Sequence, residues 1–160
     1  VFCNIKHFYT VKDLNYKKLE EFNLHTQEIS FTSAKIAKIN KVRQILKRYQ
    51  ISFAKRYKNC CIEGRDISTK ILPNSKVKFF FICDLNIASL RRFKELKKNN
   101  PSIKLKDVKK SLRIRNISDS KRKNSPLLKH RDSIVIDTGK LNKQAMLKKM
   151  SKHIEGLLNK

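Results

Sequence analysis

Glycine, proline and tryptophan are scarce: the 160 residues hold 3 Gly, 3 Pro and no Trp. The glycines are Gly64, Gly139 and Gly156, and Gly139-Lys140 is followed by Leu141 with no glycine five residues earlier. A G-x-x-x-x-G-K-S/T phosphate loop, whose backbone N–H groups cradle phosphates, is therefore absent from this sequence. The 4 cysteines stand at positions 3, 60, 61 and 83, with no C-x-x-C pair and no His at metal-ligand spacing. Neither a disulfide framework nor a zinc site is suggested, and a reducing cytoplasm is the expected setting. Phe79 to Cys83 is the longest apolar run. It is far short of the roughly 20 residues that span a bilayer, and no signal-like n-region and h-region occurs.

Acidic residues are also few, 13 against 39 Lys and Arg, for a formal net charge of +26. In isolation such a charge suggests a polyanionic partner: nucleic acid, nucleotide or anionic membrane. The surplus of Lys comes with abundant Ile, Asn and Phe, a joint bias expected of coding sequence rich in A and T. Most of the charge is accordingly read as drift on a solvated surface. A chain of this length makes one core the default. It begins at Val1 rather than Met, so a missing natural start is an expectation.

Residues 1–24 form a Lys-rich lead-in with Leu14, Leu19 and Phe22 at loose helical spacing. From Glu28 to Arg56, apolar residues such as Ile29, Ile36, Val42, Ile45, Leu46 and Phe53 recur at three- and four-residue steps, the pattern of one or two amphipathic helices. Cys60-Cys61-Ile62 and Val77 to Cys83 read as buried strands. Asn86 is a plausible N-cap for a helix that ends near Asn99-Asn100-Pro101. The charged stretch 102–125 predicts a helix from Leu105 to Ile114 and then a segment that covers a core rather than forming one. Ser133 to Asp137 reads as a third strand, and Asn142 caps a last helix carrying Met146, Met150, Ile154 and Leu157. Alternating strands and helices argue for a parallel sheet in an α/β layer fold.

Phosphoryl transfer asks a protein for positive charge on the migrating group and for fixed placement of donor and acceptor, so arginines near short turns are the first candidates. Glu63-Gly64-Arg65-Asp66 follows a predicted strand, where ligands gather in open α/β sheets. Gly64 allows a turn there, Arg65 can fork onto a phosphate and Asp66 can accept hydrogen bonds from a base or sugar. A turn closed by a local salt bridge explains the tetrapeptide equally well. On a helix, Arg115, Asp119 and Arg122 fall at i, i+4 and i+7 and share a face. They suit either a clamp on a nucleotide or an exposed ion-pair ladder.

In order, Thr26-Gln27-Glu28, Val42-Arg43 with Gln50, Gly64-Arg65-Asp66-Ile67-Ser68-Thr69 leading to Pro73, Arg91-Arg92 with Glu95-Leu96, Arg115 with Asp119-Ser120, Arg122 and Pro126-Leu127, and Ile136-Asp137-Thr138 resemble bacterial cytidylate kinases. The resemblance runs from about Leu24 to about Ile154. It implies a P-loop nucleoside-monophosphate kinase moving the γ-phosphoryl group of ATP to CMP or dCMP with Mg²⁺, on a parallel sheet with flanking helices and a helical lid. By the same resemblance Arg43 and Asp66 read the cytosine. Arg65 and Arg122 hold the acceptor phosphate or migrating phosphoryl and are the catalytic candidates. Arg115 and Asp119 contact the sugar.

The implied division is an acceptor-binding helical region at 1–57, an α/β core at 58–98 and 127–160, and a lid at 99–126. His25, Ala34 (with Ser33 one residue early) and Ser68 depart from the family pattern. So does the missing phosphate loop, which the family carries on a central strand between those matching Cys60–Ile62 and Val77–Cys83. The expectation is an incomplete copy of the kinase, monomeric, with ATP and Mg²⁺ sites outside these residues and an inactive fragment when alone. A small basic nucleic-acid-binding protein, a degenerate kinase-like interaction module and a kinase for UMP, AMP or shikimate are the competing readings. The spread of basic residues along the whole chain argues against the first.

Overall fold

The computed structural model describes residues 26–37, 39–57 and 59–158. Cys3, His25 and the helix expected in the lead-in lie outside them. The chain divides into two compact units, with the boundary after Arg43. Among the described residues the buried apolar side chains are Val42 in the first unit and Ile71, Leu96, Val108 and Ile136 in the second.

The first unit contains α1 (Gln27–Ile36) and the opening turn of α2 (Asn40–Arg56). Thr26 starts α1 as its N-cap, its Oγ1 accepting from the Ile29 N–H at 3.1 Å. Glu28 in the first turn and Lys35 in the last complement the helix dipole. At the corner between the helices, the Arg43 guanidinium donates to the Ala37 carbonyl at 3.1 Å. The apolar periodicity read over Glu28–Arg56 is thus two helices.

In the second unit α2 runs on to Arg56, and the irregular segment after it leads into a π-helical turn, Ile67–Ile71. Strand β1 (Phe79–Ile82), α3 (Leu85–Lys97), α4 (Leu105–Lys121), β2 (Ile134–Asp137) and α5 (Lys143–Leu158) follow. The two strands pair in parallel, Phe79 opposite Ile134 through Ile82 opposite Asp137. Parallel neighbours need a long crossover, which α3 and α4 supply by packing on each other. Ile136, fully buried, lies on β2, and Val108, 1% exposed, lies on α4. Helix α4 therefore contributes to the core. At the far end of the sheet, Thr138 donates to the Ile82 carbonyl through both its N–H (2.9 Å) and its hydroxyl (3.1 Å). The Arg91 guanidinium donates to the Thr138 carbonyl at 2.8 Å, tying α3 to the same place.

Several expectations are corrected. Cys60–Ile62 is irregular rather than a strand, because among the described residues no neighbouring strand offers it a ladder. The described sheet has two strands within a mostly helical unit. Its β1 is less buried than expected, with Phe81 50% and Ile82 42% exposed, because among the described residues β2 is its sole hydrogen-bonded neighbour. The N-cap of α3 is Asp84 rather than Asn86: its Oδ1 accepts from the N–H groups of Asn86 (2.8 Å) and Ile87 (3.2 Å). Helix α4 continues past Ile114 to Lys121 because Asp119 pairs with Arg115 one turn before it and with Arg122 just after it. Asn142 does cap α5, accepting from the Ala145 N–H at 2.8 Å.

After α4 the backbone reverses at Ser125, with φ 55°, the one positive-φ residue among those described. An L-residue is strained there, and the turned carbonyl accepts from Arg122 Nε. Two stability predictions follow from these local geometries, both read by urea denaturation. Asp84→Ala is expected to cost about 1 kcal/mol, whereas Asn86→Ala stays within about 0.5 kcal/mol. Ser125→Val is expected to cost about 1–2 kcal/mol, because a β-branched residue fits the left-handed region worst, while Ser125→Gly costs nothing.

Candidate functional site

Arg65 owes its position to the turn around it. A Cβ added at Gly64 would stand 2.8 Å from Ile67 Cγ1 and 3.0 Å from Cδ1, so glycine serves close approach here. The turning role expected of Gly64 is not a left-handed one, since no described glycine has positive φ. Beyond Arg65 the chain winds into the π-helical turn. The Asp66 carbonyl accepts from the N–H groups of Lys70 (2.9 Å) and Ile71 (3.3 Å), and the Ile67 carbonyl from that of Leu72 (2.7 Å). Ser68 sits in this turn without positive φ, so a serine there brings no left-handed strain. Asp66 is 7% exposed, and its side chain does not cap the turn it opens.

The second contribution comes from α4. Asp119 Oδ2 stands 3.4 Å from Arg65 Nε and 3.9 Å from Arg115 Nε, and Oδ1 stands 3.3 Å from Arg122 Nη1. One carboxylate thus gathers three guanidinium groups, from the turn before Asp66, from α4 and from the residue capping α4. Arg122 is oriented further by the Ser125 carbonyl, and the Leu127 N–H donates to the Asp119 carbonyl at 2.8 Å. The carboxylate is mostly covered, its side chain 13% exposed like that of Arg122 at 14%, while Arg65 (38%) and Arg115 (41%) reach solvent.

Three guanidinium groups share the Asp119 carboxylate. The pKa of Arg115 is pushed below its ordinary value, chiefly by burial and then by Arg65. Asp119 opposes the shift and Arg92 adds to it. Guanidinium forks suit the oxygens of carboxylates and phosphates.

The structure therefore brings together Arg65, Arg115, Asp119 and Arg122. Arg43 belongs to the first unit, where its guanidinium meets the Ala37 carbonyl. Arg92, on α3, is a further positive charge near Arg115 and forms an ion pair with Glu95 at 2.8 Å. Its signal in the sequence is the doublet Arg91-Arg92, whose members diverge: Arg91 bonds the Thr138 carbonyl. Ser125 was missed because nothing in a serine announces a left-handed backbone. Cavities of about 250 and 420 Å³ lie elsewhere in the second unit.

A family model described as cytidylate kinase matches residues 4–156. The chain is 31% identical over 134 residues to a protein named cytidylate kinase from Rickettsia conorii (strain ATCC VR-613 / Malish 7), which covers 84% of this chain and 61% of that protein. It is 34% identical over 137 residues to the cytidylate kinase of Clostridium botulinum (strain Hall / ATCC 3502 / NCTC 13319 / Type A), covering 86% and 62%. The chain thus spans about six-tenths of the length of these curated relatives. The arginines that the structure gathers on Asp119 lie within the matched residues, and this chain belongs to the cytidylate kinase family.

Proposed function

We propose that this chain supplies the monophosphate side and the lid of a kinase that moves the γ-phosphoryl group of ATP to CMP or dCMP, giving CDP or dCDP. The observation that carries the reading is the set of Arg65, Arg115 and Arg122 around Asp119. Phosphoryl transfer is catalysed mostly by placement and by charge on the equatorial oxygens. Arg65 and Arg122 are assigned to the acceptor phosphate and migrating phosphoryl, Arg115 and Asp119 to the sugar. Asp66, buried beside Arg65, is assigned to the exocyclic amine of cytosine, and Arg43 to the base on the resemblance alone. Residues 99–126 would act as the lid, 58–98 and 127–160 as the α/β core, and 1–57 as the acceptor-binding region. The parallel pairing of β1 and β2 agrees with the P-loop architecture that the family implies.

The described residues do not fit the ATP phosphates or Mg²⁺. No phosphate-loop motif occurs in the sequence. The Gly139 N–H is taken by Asp137 Oδ1 at 2.9 Å, and a Cβ there would stand 3.1 Å from that oxygen and 3.3 Å from Ile87 Cδ1. Gly156 lies within α5. Among the described residues no group of three or more His, Cys, Asp or Glu side chains could hold a metal ion. Both are assigned to the phosphate-loop part of the kinase. Among the described residues no helix is long and apolar enough to cross a membrane. We place the enzyme in the cytoplasm, as a monomer.

A coupled ADP-release assay tests the proposal, run on this chain and on the same chain preceded by the phosphate-loop segment of the Clostridium relative. Transfer to CMP and dCMP in preference to UMP by the joined protein is expected. Arg65→Met or Arg122→Met in that protein should lower kcat by about 10²–10³-fold. A folded joined protein that transfers nothing to CMP, while the chain binds RNA with steep salt dependence, would replace the kinase reading with nucleic-acid binding.

A further inference from the structure

We propose a second anion site in this chain: the cavity of about 420 Å³ at the N-terminal ends of the paired strands binds the phosphate group of a small organic molecule among Lys76, Lys78, Lys152 and His153. Neither Arg65, Arg115 nor Arg122 lines this cavity, and nothing in the proposal depends on the kinase reading.

Three observations support it. First, strand pairing and helix period bring basic side chains together from two distant segments. Lys78 directly precedes β1, and its carbonyl accepts from the N–H of Ile134, the first residue of β2, at 2.9 Å. On α5, Lys152, His153, Gly156 and Leu157 fall at i, i+1, i+4 and i+5 and line the cavity on one side of the helix. Second, one of these cations is already out of water. Lys78 is 9% exposed, and of its three ammonium donors one goes to the Ser75 carbonyl at 2.7 Å. Among the described residues no carboxylate pairs with Lys76, Lys78, Lys152 or His153. The acidic residue at the cavity, Asp132, has a side chain 60% exposed and engaged by His130 Nδ1 and Arg131 Nε, each 3.5 Å away. A buried cation without a counter-charge is unfavourable, and a bound anion supplies one.

Third, a glycine keeps the cavity open. A Cβ added at Gly156 meets no atom within 4 Å, so no close approach asks for glycine there, although glycine weakens a helix relative to alanine. Its effect is room beside Lys152 and His153. The volume lies within the range of small-molecule sites, about 300–1,000 Å³. Ile134 and Leu157 give the cavity an apolar wall, from which a bare ion gains nothing. An organic phosphate ester uses both the wall and the cations. Convergence around a buried lysine, not the number of cations on the chain, singles out this place.

Phenyl phosphate, which has neither sugar nor base, is titrated into the full chain and followed by amide NMR. The amides of Ile134, His153 and Gly156 are expected to shift together and saturate, and inorganic phosphate to bind the same place about threefold more weakly or less still. Lys152→Gln/His153→Gln, at two exposed positions, should weaken phenyl phosphate about fivefold. Gly156→Leu, which keeps every charge but occupies the space, should abolish binding there. Lys109→Gln/Lys110→Gln removes two exposed cations from α4 and should leave the affinity within about twofold. Circular dichroism checks the fold of each variant, and the wild-type titration stands without them. Unmoved amides at Ile134, His153 and Gly156 up to about 10 mM phenyl phosphate, or shifts confined to Arg65 and Arg122, overturn the proposal. So does equal weakening by the α4 variant, which would trace binding to net charge, or undiminished binding by Gly156→Leu. Equal affinity for inorganic phosphate overturns the ester in favour of the free ion. Because no nucleotide enters, these outcomes stand apart from the CMP assay, which alone bears on the kinase reading.

Discussion

One buried carboxylate organises the site in this chain. Asp119 lies in the last turn of α4, yet its side chain reaches Arg65 in a turn far earlier in the sequence, Arg115 on its own helix and Arg122 at the helix end. Without it, guanidinium groups would face one another in a partly covered place, where repulsion is screened less than in water. The gathering of positive charge, the extension of α4 to Lys121 and the return of the chain through Ser125 to Leu127 all meet at this residue.

The frame behind the site is thin. A parallel pair of four-residue strands and the packing of α3 on α4 carry the second unit, and Ile71, Leu96, Val108 and Ile136 are its buried apolar residues. Two strands alone are marginal in water, so the helical crossover and the ties around Thr138 matter to their pairing. Phe81 and Ile82 remain substantially exposed on β1, and Ile154 and Leu157 on α5 are also only partly covered. The side chains of α5 that the sequence aligned in a stripe therefore have an incompletely filled face, as the cavity of about 420 Å³ lined by Lys152, His153 and Leu157 shows.

High net charge and a charged site are different things in this molecule. Among the described residues most of the basic side chains are exposed and spread over the helices, and their number alone points to no particular ligand. Arg65, Arg115 and Arg122 differ because they converge on one carboxylate and because burial, Arg65 and Arg92 lower the pKa of Arg115. Arg91 shows the contrast: next to Arg92 in sequence, it spends its guanidinium on the Thr138 carbonyl.

The sequence by itself determined what depends on local chemistry and short spacing. The period of apolar residues placed α1, α2, α3 and α5, Asn142 announced its cap, β-forming runs marked β1 and β2, and the shared face of Arg115, Asp119 and Arg122 followed from helical geometry. The ordered arginines and turns also sufficed to suggest the family. Tertiary structure alone decided whether Cys60–Ile62 would pair, since a strand needs a neighbour that its own residues cannot specify. It decided that Asp84 rather than Asn86 caps α3, because two residues able to cap stood within reach and backbone direction chose between them. Above all it decided that Arg65 meets Asp119, a contact between distant segments made when the turn before Asp66 and the end of α4 come together on one side of the second unit.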